Sequence, residues 1–236
     1  MSAENYLKLN ELNVFYGSSQ ILFNLSFRAI KGKTLALLGR NGVGRSTLVK
    51  SVMGLVPITG SINYKNDEIV GNATHDIALK GIGYVPENRD VFPTLTVKEN
   101  LLLGVKDKNA KAEWTVDEMF ALFPNLKERA DVSASALSGG EQQMLTICRC
   151  LMGNPEFMMI DEPTEGLSPQ MVETVAELLK KIASKGISIL LVEQKLTIAL
   201  RLAARVYLMG HGKIVFEGTP KELEKNNKIR KEWLEV

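Results

Sequence analysis

Three stretches of the chain place residue types at spacings that could do phosphate chemistry. The first, Gly39 to Thr47, reads GRNGVGRST. Gly39, Gly42 and Gly44 permit tight curvature, and the N–H groups of such a loop and of a following helix make a concave anion site. Arg40, Asn41, Val43 and Thr47 belong to the same cradle, and Ser46 would place its hydroxyl on Mg²⁺. Position 45 should direct a cation at the β and γ phosphates of ATP, and the phosphate-loop pattern has lysine there. Arg45 keeps the charge but replaces a compact ammonium with a wide planar fork. Binding is therefore easier to preserve than transfer, and on shape alone Arg45→Lys is expected to retain or raise turnover.

The second stretch, Phe157 to Glu162, reads FMMIDE, an apolar strand that delivers two carboxylates at its C-terminal end. Open α/β sheets bind ligands there. Asp161 would support Mg²⁺ through its water shell, and Glu162, pointing the other way, would act as general base on the attacking water. The third, LSGGE at residues 137–141, opens a helix with Ser138 as N-cap and Gly139 and Gly140 behind it. It is a second anion site, with Glu141 in the same turn. Each stretch alone has a plain structural explanation: a glycine-rich turn, a polar strand exit, a capped helix. Two phosphate cradles about a hundred residues apart make sense together when the second completes the site of another subunit, which implies a dimer with ATP at the seam.

The elements needed to hold these groups can be read from periodicity. Leu7–Tyr16 and Asn24–Ile30 read as strands of an antiparallel sheet, and Lys33–Leu38 as a short buried strand feeding the loop at Gly39. A helix over Ser46–Met53 completes the order strand, glycine-rich loop, helix, which is the context the motif requires. Phe157–Ile160 and Ile187–Val192 read as fully buried strands flanking a helix from Pro169 to about Ala183. Val206–Met209 and Lys213–Glu217 add strands, and Pro220 opens a closing helix. Between Tyr84 and Phe157, Thr96–Leu103, Trp114–Phe123 and Gly139–Met152 read as helices with no strand among them. The layout is α/β with parallel strands and a helical insertion.

Bulk properties narrow the function classes. A length of 236 residues suits one domain with a subdomain. With 29 Lys+Arg against 27 Asp+Glu and no basic run interleaved with aromatics, nucleic acid is not an expected partner. The opening MSAENYLKLNELNV lacks the apolar core of a signal peptide, so a cytoplasmic location is expected. Apolar runs such as Thr34–Leu38 are too short to span a bilayer. Cys148 and Cys150, two apart on a helix, face different ways and are expected to be reduced residues in or near the core. His75 and His211 stand alone and receive no chemistry.

In order and spacing, GRNGVGRST, LSGGE and FMMIDEPTEGLSP resemble the ATP-binding cassette ATPases of ABC transporters, nearly end to end. The resemblance implies an α/β fold: a P-loop NTPase core with an antiparallel β subdomain and an inserted helical subdomain at about residues 88–155 of a single domain, 1–236. It also implies that Tyr16 stacks on adenine, Glu87 stands in the Q-loop as a metal-sensing oxygen ligand, Glu165 to Pro169 form the D-loop, and Gln194 stands in the H-loop. The family pattern has glutamine where Glu87 is, histidine where Gln194 is, and lysine at 45. Gln194 can donate an amide hydrogen bond to the γ-phosphate but cannot relay a proton near neutral pH, which shifts the base role onto Glu162.

The stretches VPENRDVFPTLTVKENLLLG, LFPNLKER, DEPTEGLSP and LLVEQ, with the ending IRKEWLEV, are similar to one subgroup, the second ATPase of branched-chain amino-acid importers. That implies ATP and Mg²⁺ as cofactors and a peripheral place on the cytoplasmic face of the inner membrane. Implied partners are ABC membrane subunits, a second cassette ATPase in a heterodimer (a homodimer being the other arrangement), and indirectly a periplasmic solute-binding protein. Urea, amides and aromatic acids remain alternative solutes, because the solute never touches this subunit. A non-catalytic nucleotide-binding regulator, disabled at Arg45 and Gln194, is the rival from another class. Intact Glu162 argues against it. A chromosome or translation ATPase would carry a long coiled-coil insertion or a second cassette, and neither is seen.

Overall fold

The computed structural model describes residues 5–106 and 113–234. The acid-bearing start of the chain and the last two residues of the C-terminal ending lie outside the described residues. Strands β1 (Asn5–Tyr16) and β2 (Ser19–Ile30) pair antiparallel across a tight turn at Gly17, whose φ of 60° lies in the left-handed region that glycine adopts freely. The second strand thus begins five residues before the sequence expectation. After β3 (Thr34–Leu38) come helix α1 (Arg45–Val52), β4 (Ile58–Tyr64), β5 (Asp67–Glu68), α2 (Thr74–Leu79) and β6 (Ile82–Val85). Four helices follow: α3 (Val97–Leu102), α4 (Val116–Leu122), α5 (Pro124–Glu128) and α6 (Gly139–Leu151). The helix expected from Trp114 begins at Val116 because Thr115 caps it, with Glu118 returning the bond. The chain closes with β7 (Phe157–Asp161), α7 (Pro169–Ser184), β8 (Ser188–Glu193), α8 (Leu196–Leu202), β9 (Arg205–Gly210), β10 (Lys213–Gly218), α9 (Pro220–Lys225) and α10 (Asn227–Trp233).

Two sheets result. One is antiparallel in the order β2-β1-β4-β5; the other runs β10-β9-β3-β8-β7-β6, parallel from β9 to β6 with β10 antiparallel at one edge. Every residue of β3, β7 and β8 is buried, as expected of parallel strands covered on both faces. The pleat sorts their side chains. Leu35, Leu37, Phe157, Met159, Leu190 and Val192 join the core shared with α1 and the antiparallel sheet, whereas Met158, Ile160, Ile189 and Leu191 join the core beneath α3, α4, α6 and α7. Cys148 is buried within that second core, and Cys150 packs against it; both are free thiols, as the sequence suggested.

Candidate functional site

Strand β3 ends at Leu38, and the chain turns through Gly39 to Gly44 into α1. Gly44 is the N-cap, with φ of 104° and no side-chain cap, so the first N–H groups of α1 face outward without a side-chain acceptor. A Cβ at Gly44 would lie 2.7 Å from Leu22 Cδ2, whereas a Cβ at Gly42 would meet no atom within 4 Å. The loop therefore packs against β2 at Gly44 and faces open space at Gly42. Arg40, Asn41 and Gly42 are exposed on it, Val43, Ser46 and Thr47 are half-buried, and Gly39 is buried.

Two strands away, β7 delivers Asp161 and Glu162. Asp161 is 1% exposed; the Ser46 hydroxyl lies beside its carboxylate, and Oδ1 has no partner among the described residues. Burial raises its pKa, Ser46 and Arg45 oppose that rise, and Glu87 adds to it. An orphaned buried carboxylate oxygen beside a serine hydroxyl suits a hard cation. No group of three His, Cys, Asp or Glu side chains among the described residues could hold a metal, so such an ion would draw its other ligands from phosphate and water. The donor set thus fits Mg²⁺ carried in with a nucleotide.

Glu162 leaves the strand in the left-handed region at φ 44°, held by its N–H to the carbonyl of Val192 (2.9 Å). Its carboxylate accepts from Nη2 of Arg45 in a buried ion pair. The same Nη2 donates to Oδ1 of Asn41 at 2.9 Å. Burial pushes the Glu162 carboxyl up, to about 7, against the pull of Arg45; Glu165 and Glu87 push the same way as burial. The cation expected on phosphate oxygens thus sits on the expected base, 117 residues away in sequence. Spacing carries no signal for that pairing.

The second cradle lies at the start of α6. Ser138 Oγ accepts from the Glu141 N–H and the Glu141 carboxylate accepts from the Ser138 N–H at 2.8 Å, a reciprocal capping box. Glu141 also reaches Arg129 at 3.6 Å, and these partners hold its pKa below the ordinary range although burial opposes them. Its carboxylate is thus committed locally, leaving the Gly139 and Gly140 N–H groups as the outward donors of the turn.

Tyr16 ends β1 half-exposed, and Glu87 and Gln194 are exposed in the loops after β6 and β8. Several residues near the site were not singled out from sequence. Arg89 donates to the Glu165 carbonyl at 3.3 Å, and its guanidinium lies where a Cβ on Gly139 would meet Nη1 at 2.8 Å, so it bridges the Glu87 loop, the second cradle and the Glu165 turn. Asn100, fully buried, brackets the segment after Glu87 by donating to the carbonyls of Phe92 and Thr96 and accepting from the Phe92 N–H. Glu193 at the end of β8 accepts from Thr164 at 2.7 Å, and burial raises its pKa against that bond. A buried polar residue at a strand end was the available signal for Glu193; the others depend on tertiary contact.

Known proteins similar to the chain show its family and fold. A family model described as ABC transporter matches residues 22–165. The chain is 39% identical over 231 residues to the high-affinity branched-chain amino acid transport ATP-binding protein BraG of Pseudomonas aeruginosa, covering 97% of this chain and 99% of that one. It is 35% identical to the probable branched-chain amino acid transport ATP-binding protein LivF of Archaeoglobus fulgidus, covering 95% and 97%. The fold is similar, with a TM-score of 0.80 and 27% identity over 94% of each chain, to the ADP conformation of an ATP-binding cassette of an ABC transporter.

Proposed function

The chain belongs to the ABC transporter family as one of its ATP-hydrolysing cassettes, and from that premise we propose that residues 39–47, Asp161 and Glu162 are where it does so, to drive import of branched-chain amino acids. The observation that carries the reading is the juxtaposition of an open glycine cradle at Gly42 with the buried, cation-ready Asp161 and the carboxylate of Glu162. Backbone N–H groups of the loop and of α1 bind the phosphates, and Tyr16 offers an exposed ring to the base. Ser46 and Asp161, with Glu87 nearby, would hold Mg²⁺, which would supply positive charge to offset the negative charge of the phosphates. Glu162 takes the proton of the attacking water, and Gln194 donates its amide to the γ-phosphate.

Gly139 and Gly140 face the phosphates bound by a second cassette, so that a competent site needs two chains. Residues 88–155 act as a helical subdomain, and the segment after Glu87, bracketed by Asn100, meets the membrane subunits. No helix among the described residues is long and apolar enough to cross a membrane. By its family the chain takes a peripheral place on the cytoplasmic face beside separate spanning subunits. The solute follows the names of BraG and LivF.

The test is Glu162→Gln in the assembled transporter. ATP binding by a fluorescent analogue is expected to persist while steady-state hydrolysis falls about 10²-fold or more. Unchanged turnover would place water activation elsewhere. For the solute, loss of the chain is expected to abolish leucine uptake, and continued leucine uptake with loss of another solute would reassign it.

A further inference from the structure

Arg45 stands where the phosphate-loop pattern has lysine, and its two terminal nitrogens have different surroundings. Nη2 is shared between Glu162 and Asn41 Oδ1, whereas Nη1, on a side chain 5% exposed, has no acceptor among the described residues. A buried guanidinium nitrogen without an acceptor costs free energy unless something completes it. Nη1 belongs to the first residue of α1, at the edge of the loop that the glycines shape into an anion cradle.

The backbone of Glu162 is fixed by its N–H to Val192 and by Glu165, whose N–H donates to the Glu162 carbonyl at 3.2 Å. What remains to be set is the direction of its carboxylate. Among the described residues, Arg45 supplies the cation there, while Glu165 and Glu87 are like charges that repel it. We infer that Arg45 is a positioning residue for Glu162: one guanidinium nitrogen aims the carboxylate while the other is left for a phosphate oxygen, so that bound nucleotide and base are held by one rigid plane. The inference rests on Glu162 being the base. A planar fork can serve two acceptors on different edges at once, whereas an ammonium is a single point that must lean to one of them. Lysine would follow the greater charge of the phosphates and leave Glu162 unaimed, which reverses the direction expected from shape alone.

The experiment is a double-mutant cycle in the assembled transporter: wild type, Arg45→Lys, Glu162→Gln and both together, with thermal melting to establish folding. Affinity is read with a fluorescent ATP analogue and chemistry by single-turnover phosphate release. Arg45→Lys is expected to leave affinity within about threefold and to slow phosphate release about tenfold or more, the split of a lost transition-state contact. In the Glu162→Gln background the same change is expected to slow it by less than about twofold, because no base remains to be aimed. Asn41→Ala, at an exposed position, loosens Nη2 and is expected to slow release about threefold or more, by a larger factor than any change in affinity. Arg45→Lys at the wild-type rate, equal losses in both backgrounds, or an unaffected Asn41→Ala would each overturn the positioning role. Glu162→Gln at the wild-type rate would instead overturn the base reading and the inference with it.

Discussion

Gly44→Ala and Gly42→Ala separate what the glycine loop does for the fold from what it does for a ligand. At Gly44 the added methyl would lie 2.7 Å from Leu22 Cδ2 and 3.3 Å from Ile21 Cγ2. Leu22 is fully buried and cannot move aside without disturbing the core shared by β2 and α1. Overpacking of that kind costs about 1–3 kcal/mol. The φ of 104° adds about 1–2 kcal/mol for a residue with a Cβ. Against a total stability of about 5–15 kcal/mol the loss is a large fraction of the whole, and the variant folds where stability exceeds about 5 kcal/mol. A loss of about 2–5 kcal/mol lowers Tm by about 4–20 °C for a domain of this size. At Gly42 the methyl meets nothing within 4 Å, so only the backbone term at φ 79° remains, about 1–2 kcal/mol, or about 2–8 °C. If the open space at Gly42 is where phosphate sits, as proposed, the methyl intrudes on it and ATP affinity is expected to fall more than about tenfold. Thermal melts without nucleotide and titration of a fluorescent ATP analogue read the two effects. Equal Tm losses at both positions would refute the packing argument, and wild-type affinity in Gly42→Ala would refute the cradle.

Glu156 accepts from Lys65 and from Tyr6; these bonds hold its carboxyl below the ordinary value although burial pushes it up, so its contribution is present above about pH 4.5 and lost as pH falls. Glu156→Gln is therefore expected to lower Tm slightly at neutral pH, the side chain being 51% exposed, with the gap closing in acid melts; a gap that widens in acid would contradict the sign. Cys148 is fully buried, which raises its thiol, whereas Cys150 is half-buried at the edge of the same core. Iodoacetamide at mildly alkaline pH is therefore expected to leave Cys148 unlabelled before unfolding and to reach Cys150 first, as mass spectrometry of labelled protein will show. Purified alone the protein is expected to be mostly monomeric and slow, and copurification with its membrane subunits should bring a second cassette at equal stoichiometry. A working complex with two copies of this chain would exclude the heteromer.

The sequence revealed most of what is local. Glycine spacing, the strand before Gly39 and the helix after it announced the loop, and Ser138 three residues before Glu141 announced a capped helix. Continuous apolar runs marked β3, β7 and β8 because parallel strands are buried on both faces. Strands β4, β5 and β6 carry little sequence signal: Ile58–Tyr64 alternates weakly, Asp67–Glu68 is two residues long and Ile82–Val85 four. The contacts around Arg45 and Arg89 escaped for another reason. Sheet order places β8 between β3 and β7, and this tertiary fact alone decides that a side chain at the start of α1 meets a carboxylate after β7.

The two helix N-termini of the site differ in a way that argues for their separate duties. Helices α3, α4 and α9 begin with a threonine cap and a glutamate that returns the bond, so acid in the first turn meets the positive end of each helix. Helix α1 has no cap side chain, no acid in its first turn, and a cation at its first position. Arg45 at that end of the dipole is unfavourable unless an anion sits nearby. Glu162 provides one such anion from across the sheet, and a phosphate in the cradle would provide the other. Helix α6 does carry the capping box, and its first two helical residues are glycines packed beside the Arg89 guanidinium and the Met171 side chain. The first terminus thus lacks a capping partner of its own and carries Arg45 beside Glu162. The second has its cap groups bonded within its own turn.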